Sequence, residues 1–221
     1  MNLEQARFNM VEQQIRTWEV LDQDVLDLLF IVKREEFVPA AWRNLAFADV
    51  EIPLEVGKKA GATMFAPKIE AHALQALQLK RHQKVLEIGS GSGYMAALLA
   101  AHADHVWSME IVPELAELAR DNLARHGISN VTVETGDGLA GLPAHAPYDA
   151  IMVSGALAAV PQALLDQLKV GGRLFAIVGA APVMTAQVIT RAAEDGWRTV
   201  NLFETLAEPL QNAPVTPQFS F

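Results

Sequence analysis

The chain contains no cysteine among its 221 residues. This excludes a disulfide framework and any thiolate metal site, and it fits a reducing, cytoplasmic location. Histidine is sparse, and His72, His82, His102, His105, His126 and His145 include no H-E-x-x-H pair, so no metal site is expected. Basic residues are outnumbered: 17 Lys and Arg against 26 Asp and Glu give a formal net charge of −9. With no Lys/Arg cluster, a nucleic-acid phosphate backbone is not the expected partner. No apolar run approaches the roughly 20 residues of a membrane span. Residues 1–14 lack the basic start and apolar centre of a secretion signal. No G-x-S-x-G nucleophile elbow occurs, and Trp18, Trp42, Trp107 and Trp197 are scattered, as expected of core or interface residues. A chain of this length fits one domain, able to bury about 70% of its unfolded surface.

The densest signal lies in Val85-Leu86-Glu87-Ile88-Gly89-Ser90-Gly91-Ser92-Gly93-Tyr94. An apolar run ends in an acid and three alternating glycines, and Met95 to Ala101 follow as helix formers. Such a strand, glycine turn and helix start lets a nucleotide lie against bare backbone. A dinucleotide fingerprint G-x-G-x-x-G would place its third glycine at position 94, where this chain has Tyr94. Instead Glu87, Gly89, Gly91 and Gly93, with Ser90 in the same loop, form E-x-G-x-G-x-G. That pattern resembles the S-adenosylmethionine loop of class I methyltransferases. Glu110 ends the next expected strand, His105 to Met109, one βαβ unit later. A carboxylate there can accept hydrogen bonds from both hydroxyls of a ribose.

Around this motif the chain divides by pattern. Asn2 is expected to cap a first helix, with Gln5 at the reciprocal position and Ala6, Met10, Gln13 and Thr17 along it. Asp22 caps a second helix with Val25, Leu26, Leu29 and Phe30 on its apolar side. Residues 37–39 and 49–53 are expected as extended connections into prolines. Pro67 suits the first turn of a helix through Ile69, Ala73, Leu74 and Leu77. From Lys84, strands at 84–88, 105–109, 130–135, 148–153 and 172–178 alternate with helices near 93–102, 113–126 and 160–168. That alternation predicts an α/β fold with a doubly wound, mostly parallel sheet. Residues 186–192 and 197–202, joined across Glu194-Asp195-Gly196, add an antiparallel hairpin at one edge. The tail, with Pro209, Pro214 and Pro217, is irregular, and a neighbouring copy in a homodimer is one surface on which it could pack.

Over nearly the whole chain to about Gly196, the residues resemble the protein-L-isoaspartate (D-aspartate) O-methyltransferases. The most particular pieces are Met10-Val11-Glu12-Gln13-Gln14-Ile15-Arg16, Arg34-Glu35-Glu36-Phe37-Val38-Pro39 with Ala46-Phe47-Ala48-Asp49, and Gly61-Ala62-Thr63-Met64-Phe65-Ala66-Pro67. The glycine loop, Gly136-Asp137-Gly138, Tyr148-Asp149-Ala150-Ile151 and Leu168 to Leu174 are shared with many methyltransferases. The resemblance implies one class I methyltransferase domain over 1–221. Its parts are a helical, substrate-capping segment (1–80), a Rossmann-like core (81–205) and an irregular tail (206–221).

It also implies S-adenosyl-L-methionine as cofactor and carboxyl methylation of isoaspartyl residues, a protein-repair reaction. Gly89, Gly91 and Gly93 would lie against the methionine part, with Glu87 near its ammonium group. Glu110 would hold the ribose, and Asp137 would accept from the adenine amino group with Gly138 beside it. Thr63 and Met64 would close over the cofactor, while Phe65, Ser154 and Gly155 would face the acceptor. The family's segment reads T-I-S-x-P, its serine implied in orienting the substrate carboxylate; here Phe65 stands in that place. A phenyl ring donates no hydrogen bond and fills more volume. Three readings therefore stand: isoaspartyl methylation, methyl transfer to another small or apolar acceptor, and cofactor binding without turnover.

Overall fold

The computed structural model describes residues 2–54 and 62–214. Gly61 of the segment quoted above, and the tail from residue 215 with Pro217, lie outside the described residues. Asn2 accepts from the amides of Glu4 and Gln5 and starts α1 (Leu3–Asn9). The reciprocal half of the expected capping box is not made, because Gln5 Nε2 donates to Asn9 instead. Nor does one regular helix continue to Thr17. A π-helical turn (Met10–Ile15) and a 3₁₀ turn (Arg16–Trp18) follow, keeping Arg7, Met10, Val11 and Ile15 buried together. Asp22 caps α2 (Gln23–Ile31) as its sequence suggests.

Of the two expected extended connections, 49–53 ends in β1 (Ile52–Pro53), which pairs antiparallel with β2 (Thr63–Met64). The other begins later than expected. Phe37 keeps helical backbone angles as it closes a 3₁₀ turn over Arg34–Glu36, since Pro39 restricts only the residue directly before it. Pro67 occupies the first turn of α3 (Pro67–Leu77), where its missing N–H removes no hydrogen bond.

The main sheet is built from β3 (Lys84–Ile88), β4 (His105–Glu110), β5 (Val131–Thr135), β6 (Tyr148–Leu157), β7 (Leu168–Ala180), β8 (Val183–Ala193) and β9 (Gly196–Thr205). Its order is β5-β4-β3-β6-β7-β8-β9, parallel from β5 to β7 and antiparallel for β8 and β9. The crossovers carry α4 (Tyr94–Ala100), α5 (Pro113–Arg125) and α6 (Gln162–Asp166). All the expected strands are present. Those after β5 run longer, and α6 is shorter than the expected 160–168 because β7 already begins at Leu168, paired with Tyr148.

Alternate residues of the central strands enter two cores. Val85 joins the core under α3, α4 and α5, while Leu86 and Ile88 join the core with Leu164 and Leu168 on the other face. Both faces of β3 are therefore covered, which is why Val85 to Ile88 are all buried and, Glu87 apart, apolar. None of the four tryptophans is fully buried. Trp18 is 48% exposed beneath Lys68, whose Nζ lies 4.1 Å from the ring centroid, and Trp107 stacks between His105 and His145 at the sheet surface. Trp42, Trp107 and Trp197 are half-buried and pack against the cores from their edges, while Trp18 lies at the surface.

Candidate active site

The chain moves outward from β3 through β4 to β5, then returns to β6 on the opposite side of β3. At such a reversal the loops leaving the strand ends diverge and open a crevice. A cleft of about 940 Å³, open to solvent, lies there. Its wall includes Gly89, Ser90 and Gly91 after β3, Glu110 at the end of β4, and Asp137 and Gly138 after β5. Ser154 and Gly155 of β6 face it from one side, and Thr63, Met64 and Phe65 of the β2 segment close it from another. Residues from five sequence regions thus converge on one concave surface.

Two of the predicted residues stand behind that wall. Glu87 is fully buried, accepting from Ser108 Oγ and, at 3.2 Å, from Ser154 Oγ. Ser154 is on the wall, so Glu87 reaches the cleft through one hydroxyl. Burial pushes its pKa up to about 8, because a charged carboxylate there has lost its water. Gly93 has φ +82°, and a Cβ on it would lie 3.1 Å from the Ala119 carbonyl oxygen of α5. Its bareness lets α5 pack on the loop, and Asn122 of α5 completes that contact by donating to the Ser92 carbonyl at 2.8 Å.

The remaining groups are held by short-range bonds. Glu110 accepts from the Gly91 and Val112 amides at 2.9 and 3.0 Å, fixing its carboxylate at the mouth of the glycine loop. Asp137 accepts from Leu139 N at 3.0 Å and caps the short 3₁₀ turn after β5. Thr63 donates to Glu51 at 3.2 Å. Phe65 is 6% exposed: its ring belongs to the core and to the cleft wall at once, and its carbonyl accepts from Arg34 at 2.6 Å.

Sequence reasoning missed two contributors. Glu70 lines the cleft from α3, buried and ion-paired with the fully buried Arg34. A signal was available, since Glu70 shares the i, i+3, i+4, i+7 face of Ala73, Leu74 and Leu77, where an acid is out of place. The second is the tail. Glu208, Pro209, Leu210 and Gln211 line the cleft. The Ala156 amide donates to Glu208 O, and the Leu210 amide to Ala156 O. The described part of the tail therefore packs on its own sheet. Among the described residues no group of three or more His, Asp or Glu could hold a metal ion, and no helix is long and apolar enough to cross a membrane.

The same fold recurs in known proteins. The family model for protein-L-isoaspartate(D-aspartate) O-methyltransferase (PCMT) matches residues 5–209. Protein-L-isoaspartate O-methyltransferase 2 of Pelobacter propionicus is 41% identical over 213 residues, covering 96% of this chain and 93% of that protein. The protein-L-isoaspartate O-methyltransferase of a Picosynechococcus strain is 47% identical over 173 residues, 78% of this chain and 76% of its own length. A solved protein-L-isoaspartate O-methyltransferase superposes with a TM-score of 0.80 at 25% identity, over 93% of this chain and 66% of that one. A Plasmodium falciparum structure titled as a member of this group, in complex with S-adenosyl-L-homocysteine, shares the fold with a TM-score of 0.76 at 21% identity, over 96% and 99% of the two chains. With the family model matched across the N-terminal helices, the cleft and the sheet, this chain belongs to the protein-L-isoaspartate(D-aspartate) O-methyltransferase family.

Proposed function

We propose that this chain transfers a methyl group from S-adenosylmethionine to a carboxylate, the acceptor being an isoaspartyl residue of a peptide or protein. The observation that carries the reading is the cleft itself, where bare backbone at Gly89 and Gly91, the carboxylates of Glu110 and Asp137, and the 63–65 segment face one another. The cofactor fits the chemistry of this wall. Among the described residues every charged side chain on it is acidic (Glu70, Glu110, Asp137 and Glu208), which suits a sulfonium and an ammonium.

When bound, the cofactor supplies an electrophilic methyl group. Gly89 and Gly91 would hold its methionine part, Glu110 the ribose and Asp137 the adenine, while Glu87 answers the ammonium through Ser154. A carboxylate acceptor, with an ordinary pKa near 4, arrives ionised and needs no general base. The chain's share is to align acceptor and methyl donor and to exclude water, and such positioning can contribute about 7–11 kcal/mol. Met64, Phe65 and Leu54 supply the dry side of the cleft.

Calorimetric titration with S-adenosylhomocysteine tests the shared element, and methyl-ester formation on an isoaspartyl peptide, against its normal aspartyl counterpart, tests the acceptor. Heat on titration and ester formed on the isoaspartyl peptide alone is the expected result. Absence of heat would remove the cofactor site and the proposal with it.

A further inference from the structure

A carboxylate acceptor meets a difficulty in this cleft. Its wall carries no lysine, arginine or histidine among the described residues, and the serine that the sequence comparison led one to expect is Phe65. The hydroxyls of Thr63 and Ser154 already donate to Glu51 and Glu87, and an anion placed among acids without a cation or a further donor would be repelled rather than held. The group able to resolve this is Glu70. It lies in the first turn of α3, directly after the 63–65 segment, and it shares the cleft wall with Thr63 and Phe65. Arg34 ties the two pieces together: its Nη1 donates to Glu70 Oε2 and its Nη2 to the Phe65 carbonyl at 2.6 Å. Among the described residues Glu70 Oε1 has no hydrogen-bond partner, so one oxygen is anchored and the other is unspent.

We propose that Glu70 takes over the positioning of the acceptor, its neutral carboxyl donating a hydrogen bond through Oε1 to the substrate carboxylate while Oε2 remains on Arg34. The proposal rests on the isoaspartyl reading above and deepens it. The charges then balance: buried Arg34 contributes +1, the bound carboxylate −1, and Glu70 between them is uncharged and hydrogen-bonded on both sides. No proton leaves the acceptor. Glu70 keeps its proton while the substrate oxygen that accepts no hydrogen bond remains free for methylation.

The surroundings support this state. Burial raises the Glu70 pKa to about 7, against the pull of Arg34, so a large share of it is neutral before any substrate arrives. A neighbouring substrate anion raises it further. The charged and titratable groups facing it are Arg34 from the 3₁₀ turn, Tyr94 from α4 and Glu87 from β3, with the Arg7–Glu35 pair behind Arg34. Tyr94 is held neutral by burial, and Glu87 adds negative charge only when ionised. On α3 itself Lys68 is engaged by Asp49, His72 is held toward its neutral form by burial, and Arg173 from β7 reaches only Ala76 O at the far end.

The test compares the wild-type chain with Glu70→Gln and Glu70→Leu on an isoaspartyl peptide at saturating S-adenosylmethionine, so that Glu87, acting through cofactor binding, does not enter kcat. S-adenosylhomocysteine binding and thermal melting establish that each variant is folded. Gln keeps a donor that cannot ionise. Glu70→Gln is expected to retain most of kcat and to lose the decline that wild-type kcat shows as pH rises past about 7. Glu70→Leu is expected to lose about 10²–10³ in kcat/KM, the effect of deleting one positioning donor. An inactive Glu70→Gln, a wild-type rate that rises with pH through neutrality, or a fully active Glu70→Leu each overturns the role given to Glu70 alone. A wild-type chain that binds S-adenosylhomocysteine yet forms no ester on the peptide overturns the isoaspartyl reading, and this inference with it.

Discussion

At the scale of single residues, Glu87 shows how a sequence position acquires a chemical state. It lies near the end of β3, between two hydroxyl donors and out of contact with water. Its pKa of about 8 in the folded chain compares with about 4.3 for an unfolded glutamate. Between those values the unfolded chain has released a proton that the folded chain keeps. Stability therefore falls as pH rises through this window and levels off above it. Glu70 acts in the same direction over the narrower range up to about 7. Glu87→Gln removes the larger contribution, so the variant gains on wild type as pH rises from about 5 to about 8.5, by up to several kcal/mol. Denaturant unfolding of both proteins at the two pH values measures this. An unchanged difference between them would contradict a buried, neutral Glu87.

At the scale of elements, the glycine loop is fixed as much by the helix behind it as by the cleft before it. Gly93 adopts a left-handed backbone, and an added Cβ would meet the Ala119 backbone at 3.1 and 3.2 Å. Gly93→Ala therefore has two costs, backbone strain and displacement of α5, together about 1–3 kcal/mol. A lowered melting temperature, with weaker S-adenosylhomocysteine binding only as the loop shifts, is the expected result. A variant as stable as wild type would show that α5 does not rest on this glycine. The same loop shows what sequence could and could not convey. Its strand, turn and helix were legible because glycine spacing and apolar runs are local signals. So were the caps at Asn2 and Asp22 and the acids at the tips of β4 and β5. Which glycine faces the cleft and which faces the helix was not legible, since that depends on α5, some 25 residues away. Glu70 escaped for a related reason: its partner Arg34 is 36 residues distant, and only their pairing makes an acid acceptable on a buried face.

At the scale of the whole molecule, the two ends of the chain complete a site that the central sheet leaves open. The N-terminal helices carry Arg34 and the 63–65 segment over one side. The described tail crosses the other, bridging to Ala156 of β6 through Glu208 and Leu210. Leu210 sits where a Cβ on Gly155 would approach it to 2.6 Å, so the wall has been hollowed to receive that side chain. Beyond it, Asn212 donates to Asp137 at 3.0 Å. These contacts join β6 to the loop after β5 along the wall of the cleft. Two shortened chains separate the roles, one ending at Ala207 and one at Leu210. Both lack Asn212 and everything after it, so any difference between them belongs to residues 208–210. The chain ending at Ala207 loses two backbone hydrogen bonds and a half-buried leucine from the wall, and its affinity for S-adenosylhomocysteine should fall about tenfold below that of the chain ending at Leu210. Melting temperatures should stay close, because the sheet and both cores lie beneath the strap rather than within it. Equal affinities in the two chains would mean that the wall closes without Leu210, leaving the cofactor held by the three strand tips alone.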